Sequence, residues 1–172
     1  MMAVWERFPD CRLIVTGTTQ ADLAARWLAE SADYRLDPRI VITGYLARET
    51  LFERYASAHA LLIPLFDDVR SQARFPTKIG EYLASARPIV TTDVGEVPHL
   101  LTDCETAFIC APGDAGAYGA KVCEALADPD KASGIGEAGR EVARRSFQYS
   151  LYGERLHEGF ARAAALREKA PP

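Results

Sequence analysis

Four cysteines and three histidines in 172 residues leave little material for a metal centre or a disulfide framework. Cys11, Cys104, Cys110 and Cys123 form no C-x-x-C pair and read as reduced thiols, and no metal is expected. No apolar run approaches the roughly 18–20 residues that a membrane-spanning helix needs, so no transmembrane segment is expected. The opening MMAVWERFPD lacks a basic stretch followed by an apolar one, which argues against a secretory signal and for a cytoplasmic location. Basic residues are not in excess. Twenty Lys and Arg stand against 24 Asp and Glu, scattered along the chain, which excludes a nucleic-acid face and a polybasic membrane face. There is also no G-x-G-x-x-G fingerprint, no internal repeat and no low-complexity linker.

What is present is regular. Hydrophobic content of 48% and charged content of 26% are ordinary for a globular protein, and the length suits one domain over residues 1–172. Short apolar runs occur at RLIVT (12–16), RIVIT (39–42), HALLIP (59–64), PIVTT (88–92) and AFIC (107–110). They are nearly continuous rather than alternating, as in strands covered on both faces. Between them lie segments of helical period, QADLAARWLAESA (20–32), ARETLFERYASA (47–58), a helix starting near Thr77, and GAYGAKVCEALAD (116–128). Two further helices, the last long and amphipathic, close the chain. The expected fold is α/β, a doubly wound, Rossmann-like parallel sheet of about five strands with flanking helices.

Each strand runs into turn residues, Gly17 and Gly44 among them, and in such sheets ligands bind beyond the strands' carboxyl ends. The same glycines also suit plain strand-to-helix turns. The stretch FPTKIGEYLASARPIV, Phe75 to Val90, is more pointed. Pro76 and Thr77 make a helix start with Thr77 as N-cap, and Ile79, Tyr82, Leu83 and Ala86 fall on one packed face. Lys78 and Glu81 share another side, where a cation would suit a diphosphate and a carboxylate could accept ribose hydroxyls. A solvated Lys–Glu pair is the plainer reading of those two residues. Gly80, which costs about 1 kcal/mol against Ala in a helix, points to something close to the backbone.

The run FPTKIGEYLASARPIVTTDVGEVPHLL resembles the donor-binding motif of GT-B glycosyltransferases of the retaining family 4, and the likeness extends over almost the whole chain. It implies half of a GT-B fold, the C-terminal donor domain. The implied reaction, of hexosyltransferase type, moves a sugar from a UDP-sugar or GDP-sugar to a hydroxyl in glycan or polysaccharide biosynthesis, without a metal or other cofactor. The resemblance assigns the ribose to Glu81, the diphosphate and sugar to Thr77 and Lys78, the phosphate loop to Gly17, and the base to the turn at Tyr45 and Leu46. No catalytic residue is assigned. His59, His99 and His157 read as packing or surface residues, Trp5 and Trp27 as core anchors, and Asp67, Asp68 and Arg70 as a solvated loop.

Two departures from the family follow from the same comparison. Ala73 stands eight residues before Glu81, where a sugar-contacting glutamate is the family pattern. The family's acceptor-binding N-terminal domain and the first strand of its C-terminal domain have no counterpart in residues 1–172. That strand lies between those that RLIVT and HALLIP resemble, so these two either pair directly or leave a groove. The resemblance therefore implies an N-terminal half or partner chain, and an isolated chain without transfer activity. A non-catalytic nucleotide-sugar binding module or degenerate fragment is the alternative, and a sugar-nucleotide epimerase would need an acid and a base that no residue here supplies.

Overall fold

The computed structural model describes residues 1–17, 21–22, 37–73 and 77–168. The expected helix at 20–32 with Trp27, and Phe75 and Pro76 of the motif, lie outside the described residues, apart from a helical Ala21 and Asp22.

All five expected strands form: β1 (Leu13–Thr16), β2 (Ile40–Gly44), β3 (Leu61–Ile63), β4 (Ile89–Thr92) and β5 (Phe108–Cys110). Every ladder is parallel. The single sheet of the sequence reading is corrected to two, β1–β2 and β3–β4–β5, because no strand among the described residues bridges β1 to β3. Residues 40–44 include Thr43 and Gly44 beyond the expected end.

The helices are α1 (Met2–Arg7), α2 (Arg48–Ser57), α3 (Val69–Gln72), α4 (Lys78–Ala84), α5 (Val97–Leu100), α6 (Ala115–Ala127), α7 (Pro129–Ser146) and α8 (Gly153–Glu168). Caps explain the starts of the longer ones. Asp114 accepts the Ala117 N–H at 2.9 Å to open α6, and Asp128 accepts the Lys131 N–H at 3.0 Å with Pro129 beside it to open α7. Asp68 is corrected from a solvated loop residue to the cap of α3, its carboxylate accepting the Ser71 N–H at 2.6 Å.

The three-stranded sheet explains the continuous apolar runs. Successive side chains point to opposite faces, so Ile89 and Ile109 enter one core with Ile79 and Leu83 of α4 and Ala143 of α7. Val90 and Phe108 enter a second core with Val4 of α1 and Val122 of α6. Both faces are covered, and each buried Ile or Leu contributes about 1.5–3 kcal/mol. Trp5 anchors the second layer, with its indole N–H donating to the Cys11 carbonyl at 2.9 Å and the Arg39 guanidinium over its ring. The β1–β2 sheet has thinner cover, leaving Ile14 and Val41 partly exposed.

Candidate functional site

The carboxyl ends of the strands are tied in two groups. Gly17 and Gly44 both take positive φ, and the Gly17 N–H donates to the Gly44 carbonyl at 2.9 Å, joining the β1 and β2 exits. A β-carbon at either glycine would meet no neighbour, so left-handed backbone rather than crowding favours glycine there. Tyr45 follows, exposed, with Leu46 half-buried. In the other sheet, buried Thr91 and Thr92 donate their hydroxyls to the Ile63 and Leu65 carbonyls at 2.9 and 2.8 Å, and Thr92 also accepts the Leu65 N–H.

Helix α4 rises from the same end. Ile79 and Leu83 are fully buried and Tyr82 packs against their core, whereas Ala86 lies past the helix end at φ 58°. Thr77 occupies the N-cap position but makes no side-chain cap bond, which corrects the expectation. Its backbone is already helical (φ −54°, ψ −26°), whereas a capping side chain needs an extended residue to reach back over the first turn. Gly80 has Phe147 over it, a β-carbon there standing 3.4 Å from the ring. What comes close to that backbone is Phe147.

Lys78 and Glu81 are paired at 3.2 Å, each about half exposed. Lys78 also donates to the Tyr55 hydroxyl at 3.3 Å and lies 5.9 Å from that ring's centre. Tyr55, on α2, is buried and meets Tyr82 edge to face at 4.9 Å. Sequence reasoning missed Tyr55, which looked like any apolar position of an amphipathic helix. Burial pulls the Lys78 ammonium down, but its hydrogen bonds to Tyr55 and Glu81 outweigh that and hold it above the ordinary lysine range. Burial, with Tyr55 beside it, pushes the Tyr82 phenol up. A charged ammonium fixed by a buried phenol, next to a carboxylate, has the groups to take one anion and one diol.

A cleft of about 1310 Å³ runs from this end down between the sheets, lined by Thr16, Tyr55, Phe66, Tyr82, Thr92 and Asp114 among others. Tyr55 connects it to Lys78. Gly17, Tyr45 and Leu46 are not in its lining, although Thr16 is, and no direct contact joins them to Lys78 or Glu81. His59 lines the cleft from an exposed position, and His99 and His157 are exposed. Among the described residues no group of three or more His, Cys, Asp or Glu is placed to hold a metal ion, and no helix is long and apolar enough to cross a membrane.

Residues 1–128 match the model of the family described as glycosyl transferases group 1. An alpha-maltose-1-phosphate synthase of Mycolicibacterium smegmatis is 33% identical over 91 residues, 49% of this chain and 24% of that protein. Among solved structures, sucrose-phosphate synthase from Thermosynechococcus elongatus superposes with a TM-score of 0.76 at 22% identity, over 90% of this chain and 39% of that one. HepE of Anabaena, in complex with UDP-glucose, gives 0.72 at 15% identity, over 94% and 44%. The C-terminal domain of LpcC, a glycosyl transferase group 1 family protein of Francisella tularensis, gives 0.66 at 18% identity, over 86% and 75%. The chain thus spans about a quarter of the curated relative and about two fifths of the first two structures. With parallel strands layered between helices and a family match over its first 128 residues, this chain belongs to the glycosyl transferases group 1 family and has the fold of a GT-B half domain.

Proposed function

We propose that this chain is the donor-binding part of a glycosyltransferase, of hexosyltransferase type, that takes a sugar from UDP-sugar or GDP-sugar and passes it to a hydroxyl in glycan or polysaccharide assembly. The observation that carries this reading is the Lys78–Glu81 pair, held by buried Tyr55 at the carboxyl end of a parallel sheet in a member of this family. On this reading Glu81 accepts the ribose hydroxyls. The Lys78 ammonium meets the negative charge that grows on the leaving diphosphate, an electrostatic role in which no covalent intermediate with the protein is needed. Thr77, whose hydroxyl is not spent on capping, faces the diphosphate and sugar. Gly17 opens the phosphate loop, and the backbone of Tyr45 and Leu46 meets the base.

The acceptor side belongs to polypeptide outside residues 1–172, as the 39% and 44% coverage of the first two structures supports. The same coverage favours a second reading, a nucleotide-sugar binding module that works only with a partner chain. Titration calorimetry of the 172-residue chain with UDP and GDP tests donor binding, and no heat with either sinks both readings. Sugar transfer separates the chain's own competence from its partner's. The isolated chain is expected to be inactive, and turnover on the order of 1 s⁻¹ would show that it needs no partner.

A further inference from the structure

The two sheets present facing edges that nothing fills. Successive residues of a strand turn their N–H groups to opposite edges. Leu13 N–H donates toward β2, to the Arg39 carbonyl, and so does Gly17, to Gly44, so Ile14 and Thr16 direct theirs away from β2. Leu61 N–H donates toward β4, to the Pro88 carbonyl, so Leu62 directs its own away from β4. Residues 13–16 and 60–62 both line the 1310 Å³ cleft, so these unpaired edges border one space. A row of unpaired backbone groups is a template for another strand.

Size and walls identify the occupant. One strand residue in a packed sheet takes about 160 Å³, from a rise of about 3.3 Å, about 4.8 Å between strands and about 10 Å between layers. The cleft therefore has room for about eight such residues, and it exceeds the usual ~300–1,000 Å³ of a small-molecule pocket. Leu62, Val122, Tyr118 and the partly exposed Ile14 supply apolar walls. We propose that an extended strand of a partner polypeptide, apolar on both faces, docks between β1 and β3 and joins the two sheets into one. A second copy of this chain does not fit that role. An edge strand of a folded copy carries its own sheet beside it, and a slot with a wall on each side admits only a strand free on both edges. The proposal rests on the reading that this chain is one part of a larger catalytic unit, whose relatives extend well beyond it.

The test is amide hydrogen exchange by NMR on the 172-residue chain, alone and with the lysine-flanked strand peptide KKVIVVITKK. The expected result is that the Ile14, Thr16 and Leu62 amides exchange freely alone and slow by about tenfold or more with millimolar peptide. Ile14→Pro and Leu62→Pro remove N–H groups that β2 and β4 do not use, so each should keep its circular dichroism and lose peptide protection. Should either variant fail to fold, a peptide N-methylated at alternate residues, which cannot pair on both edges, must give no protection. Unchanged exchange with the plain peptide overturns the proposal. So does protection already present in the chain alone, which would mean that β1 and β3 pair directly or that a second copy fills the slot. UDP titration on the same sample is independent. Heat with UDP but no strand protection removes the docking strand and leaves nucleotide binding standing, and the opposite pair of results removes nucleotide binding alone.

Discussion

Gly136 of α7 lies against the carbonyl of Ala86, the residue that ends α4 in the left-handed region. A β-carbon built at 136 would stand 2.9 Å from the Ala86 carbonyl carbon and closer still to its oxygen. One turn on, a β-carbon at Gly139 would sit 2.7 Å from the Thr106 carbonyl oxygen. Both obstacles are backbone, which cannot swing aside as a side chain does. These two glycines let α7 press onto the layer that carries Lys78 and Glu81.

The stability consequence is a contrast between glycines. Gly136→Ala forces α7 away from the α4 exit and is expected to cost about 3 kcal/mol, the upper end of ordinary overpacking. Gly80→Ala gains about 1 kcal/mol of helix propensity and meets only the Phe147 ring at ordinary contact distance. Its stability should stay level or rise slightly. Thermal unfolding of the two variants beside the parent checks both signs, and equal losses would show that the close approach at Gly136 is not what sets the packing.

The strands were legible because β4 and β5 are buried on both faces, so Ile89, Val90, Phe108 and Ile109 all had to be apolar. The break between β1 and β3 was not, since an unfilled edge leaves no mark on the strands' own composition; only the family resemblance raised it. Short α3 was missed because Asp67 and Asp68 suit a solvated loop as well as a cap. At the site, the Lys78–Glu81 spacing correctly put both side chains together on α4. Thr77 failed as a cap because its own backbone is helical, a matter decided by how the chain enters from residue 76 rather than by residue type. Tyr55 comes from α2, more than twenty residues earlier, and only tertiary packing brings its hydroxyl to Lys78.

Asp103 and Lys121 set a second, pH-dependent prediction. The Asp103 carboxylate accepts the Ile109 N–H at 2.7 Å and pairs with Lys121 at 2.7 Å, tying the entry of β5 to α6. Partial burial pushes the Asp103 carboxyl up, but its bonds with Lys121 and the Ile109 amide outweigh that and leave it below the ordinary aspartate range. The sign follows from linkage. A lowered folded value gives stability that is complete above the ordinary aspartate value and is lost as pH falls through the lower one. Asp103 is half exposed, so screening keeps the contribution to about 1 kcal/mol or less. Asp103→Asn should therefore lower stability at pH 7 by that amount and flatten the loss between about pH 4 and pH 2. Urea unfolding of parent and variant across that range measures it, and parallel curves at every pH would remove Asp103 from the acid response.

The site prediction separates three side chains by what each touches. Glu81→Ala should weaken UDP or GDP by about 1–3 kcal/mol, the usual cost of leaving hydrogen-bonding groups unpaired. Lys78→Ala should weaken the diphosphate more than the corresponding monophosphate, because the ammonium is assigned to the outer phosphate rather than to the ribose. Tyr55→Phe keeps the buried ring against Tyr82 and removes only the oxygen that holds Lys78. It should reproduce the diphosphate-specific loss of Lys78→Ala in smaller measure, since the ammonium remains but is less fixed. Calorimetry with UDP and UMP on the parent and three variants gives the full set. Equal losses for UDP and UMP in Lys78→Ala would take Lys78 off the phosphates. An unchanged UDP affinity in Tyr55→Phe would reduce Tyr55 to a packing residue.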